Sequence, residues 1–248
     1  MKNIQVKNIV FNGNLPKICV PVTYIAESEI LDTFNELNNA DIDLAEFRAD
    51  YYEFVHDRYK VIGLLEKIRR LYHKPLIFTL RTKKEGGASD ITADYYFKLN
   101  NSIIESNLVD MIDIEFFSQP EEINYTIDLA GKNQVTTILS NHDFLKTPSI
   151  EEIINRINKM TECGDIAKIA VMPNSEEDVL TLLSASLKLK KEKKGPFIAI
   201  AMGPLGIISR ISCELFGSCM TYASYKYQSA PGQIDYKLTK EILKNIHF

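Results

Sequence analysis

A (β/α)8 barrel of the TIM type, with a short N-terminal β-hairpin, is the fold this sequence predicts. Two observations predict it. Eight short apolar runs alternate with longer amphipathic stretches along 248 residues. The runs are apolar almost throughout, as parallel strands covered by helices on both ends of each crossover must be. Eight such units in a chain of this length fit a closed barrel. A doubly wound open sheet is the alternative on pattern alone. No linker or shift of composition divides the chain, so residues 1–248 are expected to form one domain.

The elements follow in order. "MKNIQVKNIVFNG" alternates like strand sequence, and residues 1–16 are expected to make a small hairpin closing the bottom of the barrel. The first four runs are "KICVPV" (17–22), "DLAEFRAD" (43–50), "PLIFTLR" (75–81) and "VDMIDIEFF" (109–117). The other four are "TTILSNHDF" (136–144), "IAKIAVMP" (166–173), "PFIAIAMG" (196–203) and "SCMTYASY" (218–225). Between them lie helical patterns such as "SEILDTFNELNNA", "VIGLLEKIRRLYH", "DYYFKLNNSIIESN" and "SIEEIINRINKMTECG". "NSEEDVLTLLSASLKLKKEKKG" starts acidic and ends basic, with Gly195 as the expected helix cap.

Composition narrows the function. Hydrophobic residues at 45% and charged residues at 25% are ordinary for a soluble globular enzyme. A formal charge of −4 gives no nucleic-acid footprint. The one dense basic run, "KLKKEKK" (188–194), reads as a solvated helix end. No run is long enough to cross a bilayer, and no signal-peptide core precedes the first strand. Four cysteines without a C-x-x-C pair point to reduced thiols and a cytoplasmic protein.

In a barrel, function collects where strands end. The polar residues of the runs sit there. Glu46 and Arg48 are two apart and share a face; a surface salt bridge is the plainer reading. Arg81 closes the third run, and Glu85 follows in a loop ending Gly86-Gly87, a tight or mobile turn. Asp113 and Glu115 alternate with Ile112, Ile114 and Phe116. If the apolar three face the helices, the two acids face the interior and balance cations there. His142 stands at the end of the fifth run, whereas His56, His73 and His247 have surface-like surroundings. No histidine pattern suits zinc.

Lys168 lies inside the apolar run "IAKIAVMP". A buried ammonium without a partner is costly, and such a lysine tends to lose its proton. It either pairs with Asp113 or Glu115 for structure, or serves as an amine that attacks a carbonyl. The neighbouring strand carries His142, so nucleophile and base can meet. "GPLGIISR" leads into a helix whose start can hold an anion, with Arg210 as a fixed positive fork. Ser229 and Gln233 lie in "QSAPGQ", a turn or a lid.

In combination, these residues resemble the type I 3-dehydroquinate dehydratases, the Schiff-base class of the shikimate pathway. The segments are "EFR" (46–48), "FTLRTKKEGG" (78–87), "SNHDF" (140–144), "KIAVMP" (168–173), "GIISR" (206–210) and "SAPGQI" (229–234). They span essentially the whole chain. The resemblance implies a barrel, often a homodimer, that uses neither metal nor organic cofactor. It implies syn elimination of water from 3-dehydroquinate to give 3-dehydroshikimate. It makes Lys168 the imine-forming residue, His142 the general acid and base, and Glu85 the partner of His142. Glu46, Arg48 and Arg81 would hold ring hydroxyls. Arg210, Ser229 and Gln233 would engage the carboxylate side. Some relatives place a substrate-touching serine at the end of the first barrel strand; here Pro21 stands there, with neither hydroxyl nor N–H. Rival readings are a class I aldolase and a catalytically silent barrel that binds a metabolite.

Overall fold

The computed structural model describes residues 3–12, 15–117 and 119–246. Two short strands come first, β1 (Ile4–Val6) and β2 (Ile9–Phe11), paired antiparallel with Ile4 opposite Phe11. Lys7 turns between them with a φ of 50°. This is the expected hairpin; residues 1, 2, 13 and 14 of the stretch assigned to it lie outside the described residues.

Eight parallel strands follow: β3 (Lys17–Val22), β4 (Leu44–Arg48), β5 (Leu76–Thr79) and β6 (Met111–Glu115), then β7 (Thr136–Asp143), β8 (Ile166–Val171), β9 (Phe197–Ala201) and β10 (Met220–Tyr222). From β3 to β9 each strand pairs with the next, and β10 pairs with β3. A parallel bridge between Phe197 and Ser218 brings β9 against β10 and closes the ring. A barrel therefore forms, and the open sheet does not.

The helices are α1 (Glu27–Asn39), α2 (Arg58–Leu71), α3 (Ala93–Ser106), α4 (Pro120–Lys132), α5 (Ile150–Cys163) and α6 (Glu176–Glu192). After β9 come only two short pieces, α7 (Ile207–Ile211) and α8 (Cys213–Phe216), and α9 (Tyr236–Asn245) ends the chain. Side chains open several of them: Asp57 caps α2, Thr92 caps α3, Ser149 caps α5 and Ser175 caps α6. At the end of α6 the left-handed cap is Lys193, with φ 55°, rather than Gly195. The last backbone N–H reaches Leu189 O from Lys193, two residues before the glycine. No described helix is long and apolar enough to cross a membrane.

Strand alternation sorts the core into two bodies. One fills the space between sheet and helices and includes Phe34, Phe47, Phe78, Ile112 and Ile114. The other is inside the barrel. Its lowest layer is Cys19, Leu44, Ile77, Met111, Ile138, Ile166, Ile198 and Met220, and Ile4, Val6, Ile9 and Phe11 of the hairpin belong to the same apolar cluster. Two residues further along each strand, the interior turns polar.

Candidate active site

The polar layer follows from strand spacing. Two positions beyond the apolar floor stand Pro21, Glu46, Thr79, Asp113, Ser140, Lys168, Ile200 and Tyr222. Two positions beyond those stand Arg48, Arg81, Glu115, His142, Ala170 and Met202. A cavity of about 250 Å3 opens over these layers. Lys168, His142, Glu85, Glu46, Arg48, Arg81, Arg210, Ser229 and Gln233 all line it, so the structure gathers every sequence-predicted site residue in one place.

Lys168 is buried, and its flanking Ala167 and Ile169 face the helices. The side chain itself does not sit in the apolar setting that its neighbours in sequence imply. Its Nζ lies 3.0 Å from Asp113 Oδ2 and 4.5 Å from the centre of the Tyr222 ring. Burial pushes the Asp113 carboxyl up, but the charges of Arg81 and Lys168 outweigh that and hold it well below the usual carboxylate range. Ser140 Oγ donates to its other oxygen at 2.6 Å.

Arg81 joins the acids. Its guanidinium lies 2.8 Å from Asp113 and 3.2 Å from Glu115, and its Nη1 is 3.7 Å from Glu85. Asp113 and Glu115 thus face inward and balance cations, as period two requires. Arg48 is held by two 2.8 Å bonds to Asp50, a fully buried acid that also accepts from Ala88 N. Glu46 accepts from Thr79 Oγ1 at 2.7 Å.

His142 stands diagonally across from Lys168, since Ser140 is the direct partner of Lys168 between β7 and β8. Its Nδ1 lies 2.9 Å from Glu85 Oε2, and its backbone N–H donates to the same oxygen. With Glu85 ionised, Nδ1–H donates and Nε2 keeps a free lone pair. Burial first, then the charges of Arg81 and Lys168, push the imidazole well below its ordinary range. Burial pushes Glu85 up to about 7; Arg81 opposes this, and Glu115 and Asp113 add to it. The Gly-Gly turn that delivers Glu85 is tight. A Cβ on Gly87 would lie 1.9 Å from Arg81 O, and Gly86 takes φ 84°.

Arg210 comes from α7, the helix expected after the Gly-Pro-Leu-Gly turn, which has five residues and no side-chain cap. Among the described residues the buried guanidinium donates only to carbonyls, Tyr222 O at 3.4 Å and Pro231 O at 3.2 Å, and its Nε has no partner. Burial pushes its pKa down to about 10. Among the described residues no carboxylate pairs with it. A buried cation with spare donors suits an incoming anion. Ser229 and Gln233 hold each other, Ser229 N donating to Gln233 Oε1 at 2.8 Å, and both line the cavity. His56 and His73 are exposed, and His247 lies outside the described residues. Among the described residues no three His, Cys, Asp or Glu side chains converge to hold a metal ion.

Asp50, Tyr51, Phe144, Met202 and Tyr222 also shape the site and are not singled out by sequence reasoning. Phe144 stacks on His142 at 6.4 Å. Only for Tyr222 and Met202 does a signal exist, the period-two count from the floor.

The model of the type I 3-dehydroquinase family matches residues 18–248. A 3-dehydroquinate dehydratase of Clostridium novyi is 45% identical over 100% of this chain and 99% of its own length. The structure of the type I 3-dehydroquinate dehydratase from Clostridium difficile superposes with a TM-score of 0.96 at 42% identity, covering 99% of this chain and 98% of that one. That from Enterococcus faecalis gives 0.92 at 37%, covering 99% and 100%.

Proposed function

The chain belongs to the type I 3-dehydroquinase family, and from that membership we propose how its cavity performs the reaction. The protein is a 3-dehydroquinate dehydratase, a hydro-lyase of the shikimate pathway. The observation that carries the residue assignment is Lys168, a buried amine sharing one cavity with a neutral histidine and an arginine without a carboxylate.

The steps follow from the groups present. Lys168 gives up a proton to the neutral His142, which lines the same cavity, and its Nζ attacks the substrate ketone. The carbinolamine that results takes that proton back from His142 on its oxygen, and loss of water leaves an iminium and a neutral His142. His142 Nε2 then takes a proton from the carbon beside the iminium, and the C–H electrons form an enamine. The enamine expels the hydroxyl from the next carbon, and His142 returns a proton to it, so one water leaves. Hydrolysis of the remaining imine frees the product and Lys168. Ammonium and iminium both place a positive charge at Nζ, so Asp113 at 3.0 Å suits both. Asp113 and Arg81 keep the lysine and the acids in place, which supports catalysis through positioning. Glu46 and Arg48 hold ring hydroxyls, Arg81 stands behind them, and Arg210, Ser229 and Gln233 take the carboxylate side.

Borohydride in the presence of 3-dehydroquinate tests this reading. One adduct on Lys168, with loss of activity, is expected, and Lys168→Ala should form none. Activity that survives the treatment would sink the imine mechanism. We further propose that one barrel domain carries the whole activity and works in the cytoplasm, where its four unpaired cysteines stay reduced. Exposed Leu180, Leu187, Leu205, Ile207, Ile208 and Leu215, on and beside α6 to α8, offer an apolar surface suited to a homodimer.

A further inference from the structure

Arg48, Arg81, Lys168 and Arg210 all line the cavity, so the fold offers a substrate carboxylate more than one cation. The buried acids tell them apart. Lys168 lies 3.0 Å from Asp113, and Arg81 lies 2.8 Å from Asp113 and 3.2 Å from Glu115. Arg48 meets Asp50: its Nε and Nη2 each donate at 2.8 Å to a different carboxylate oxygen. Asp50 is 0% exposed and is not itself part of the lining. The pairing uses one fork of the guanidinium together with its charge, and other N–H groups remain to donate to uncharged hydroxyls. Glu46, two residues earlier on β4, also lines the cavity, so an anion arriving at Arg48 meets two acids beside one cation. Arg210 has no carboxylate partner among the described residues. The two arginines also stand differently toward Lys168. Arg48 ends β4, across the ring from β8, whereas Arg210 follows β9, the neighbour of β8.

We propose that Asp50 is a positioning residue that sets the direction in which substrate lies in the site: by neutralising Arg48 it leaves that arginine to ring hydroxyls and sends the carboxylate to Arg210. The role rests on the reading of Arg210 as the carboxylate's partner. It needs no contact between Asp50 and substrate, because the acid acts through the guanidinium. A carboxylate seated on Arg48 would reverse the substrate and carry its ketone away from Lys168. Discrimination comes from the wrong seat as much as from the right one, since an acid already fills the charge of Arg48 and repels a second.

The test uses cyclohexanecarboxylate as a competitive inhibitor, a six-membered ring with the carboxylate but neither ketone nor hydroxyl. Arg210→Ala should weaken its inhibition constant about ten- to a hundredfold. Asp50→Asn should tighten inhibition about tenfold, because Arg48 becomes a second seat for the anion. With 3-dehydroquinate the same variant should lose kcat without a rise in KM, the mark of substrate bound the wrong way round. Asp50→Asn/Arg48→Gln should return inhibition to the parental value, since the pair is removed with no net change of charge. This double variant leaves neither charge of the pair buried without the other, so it tests the proposal even where the single one fails to fold. Unchanged inhibition in Asp50→Asn with a lower Tm would make Asp50 only a tie to the turn that carries Glu85, where Ala88 N donates to it at 2.9 Å, and would overturn the proposal. A double variant that loses inhibition as Arg210→Ala does would overturn it too, because the carboxylate would then belong to Arg48. Arg210→Ala inhibited as strongly as the parent would instead sink the reading of Arg210, and this proposal with it.

Discussion

Arg210 shows what a side chain looks like when its partner is meant to arrive. Its donors reach two carbonyls, one nitrogen is left over, and no described carboxylate is near enough to pair. Arg210→Ala removes a charge-assisted fork of roughly 1.5–3 kcal/mol. KM should rise about ten- to a hundredfold, with a smaller change in kcat, as steady-state kinetics can check. Glu85 makes a pH argument. Its folded pKa is raised to about 7, so the buried carboxylate destabilises the fold increasingly as pH climbs from its unfolded value through 7. Glu85→Gln should therefore melt higher than the parent above pH 7 and lose that advantage below about pH 4.5. Activity should move the other way. The parent rate should rise with pH through about 7 as Glu85 ionises and fixes His142 with Nε2 free. Glu85→Gln should lose that limb. His142 itself is held well below its ordinary range, so a limb near the reference histidine value of about 6.5 is not assigned to it. At this scale the sequence is legible where a polar residue interrupts an apolar run, as at Glu46, Asp113 and Lys168. Asp50 escapes because its partner, Arg48, is only two residues away and the pair looks like loop chemistry. Tyr222 escapes because an aromatic residue in a strand looks like core.

Among the elements, the strands are read from sequence more closely than what joins them. The run 17–22 coincides with β3, and the other runs overshoot their strands by a few residues at the ends, where loops keep apolar character. The segment after β9 is the exception. "GIISRISCELF" has helical periodicity over eleven residues, yet it breaks at Ser212 into α7 and α8. Sequence periodicity does not reveal that break, because Ser212 N still bonds Ile208 O across it. The loop that covers the cavity depends on a contact no pattern announces. Gly232 takes φ 80°, and a Cβ there would lie 2.3 Å from Gly203 O. Gly203 N in turn bonds Pro231 O at 3.2 Å. Gly232→Ala should keep the loop from seating and displace Ser229 and Gln233. A misplacement of this kind costs up to about a hundredfold in kcat/KM. The borohydride adduct on Lys168 should still form, which separates a displaced loop from a lost nucleophile.

For the molecule as a whole, the barrel was legible because eight apolar runs leave little else to build, while its closure rests on a single parallel bridge and on the register of β10 against β3. The hairpin was legible as strand sequence, but what it covers was not, because the floor it meets is assembled from eight separate strands. Phe11 is 1% exposed and belongs to that floor cluster. Phe11→Ala should destabilise the fold by about 3–5 kcal/mol, read as a lower denaturation midpoint, with kcat and KM little changed in the protein that remains folded. The hairpin has one more effect. With apolar side chains stoppering the far end, the chamber above is a cul-de-sac. Substrate, expelled water and finished product share one doorway, which the loop carrying Ser229 and Gln233 borders. Product waiting in the doorway blocks the next molecule of substrate before either one meets the lysine.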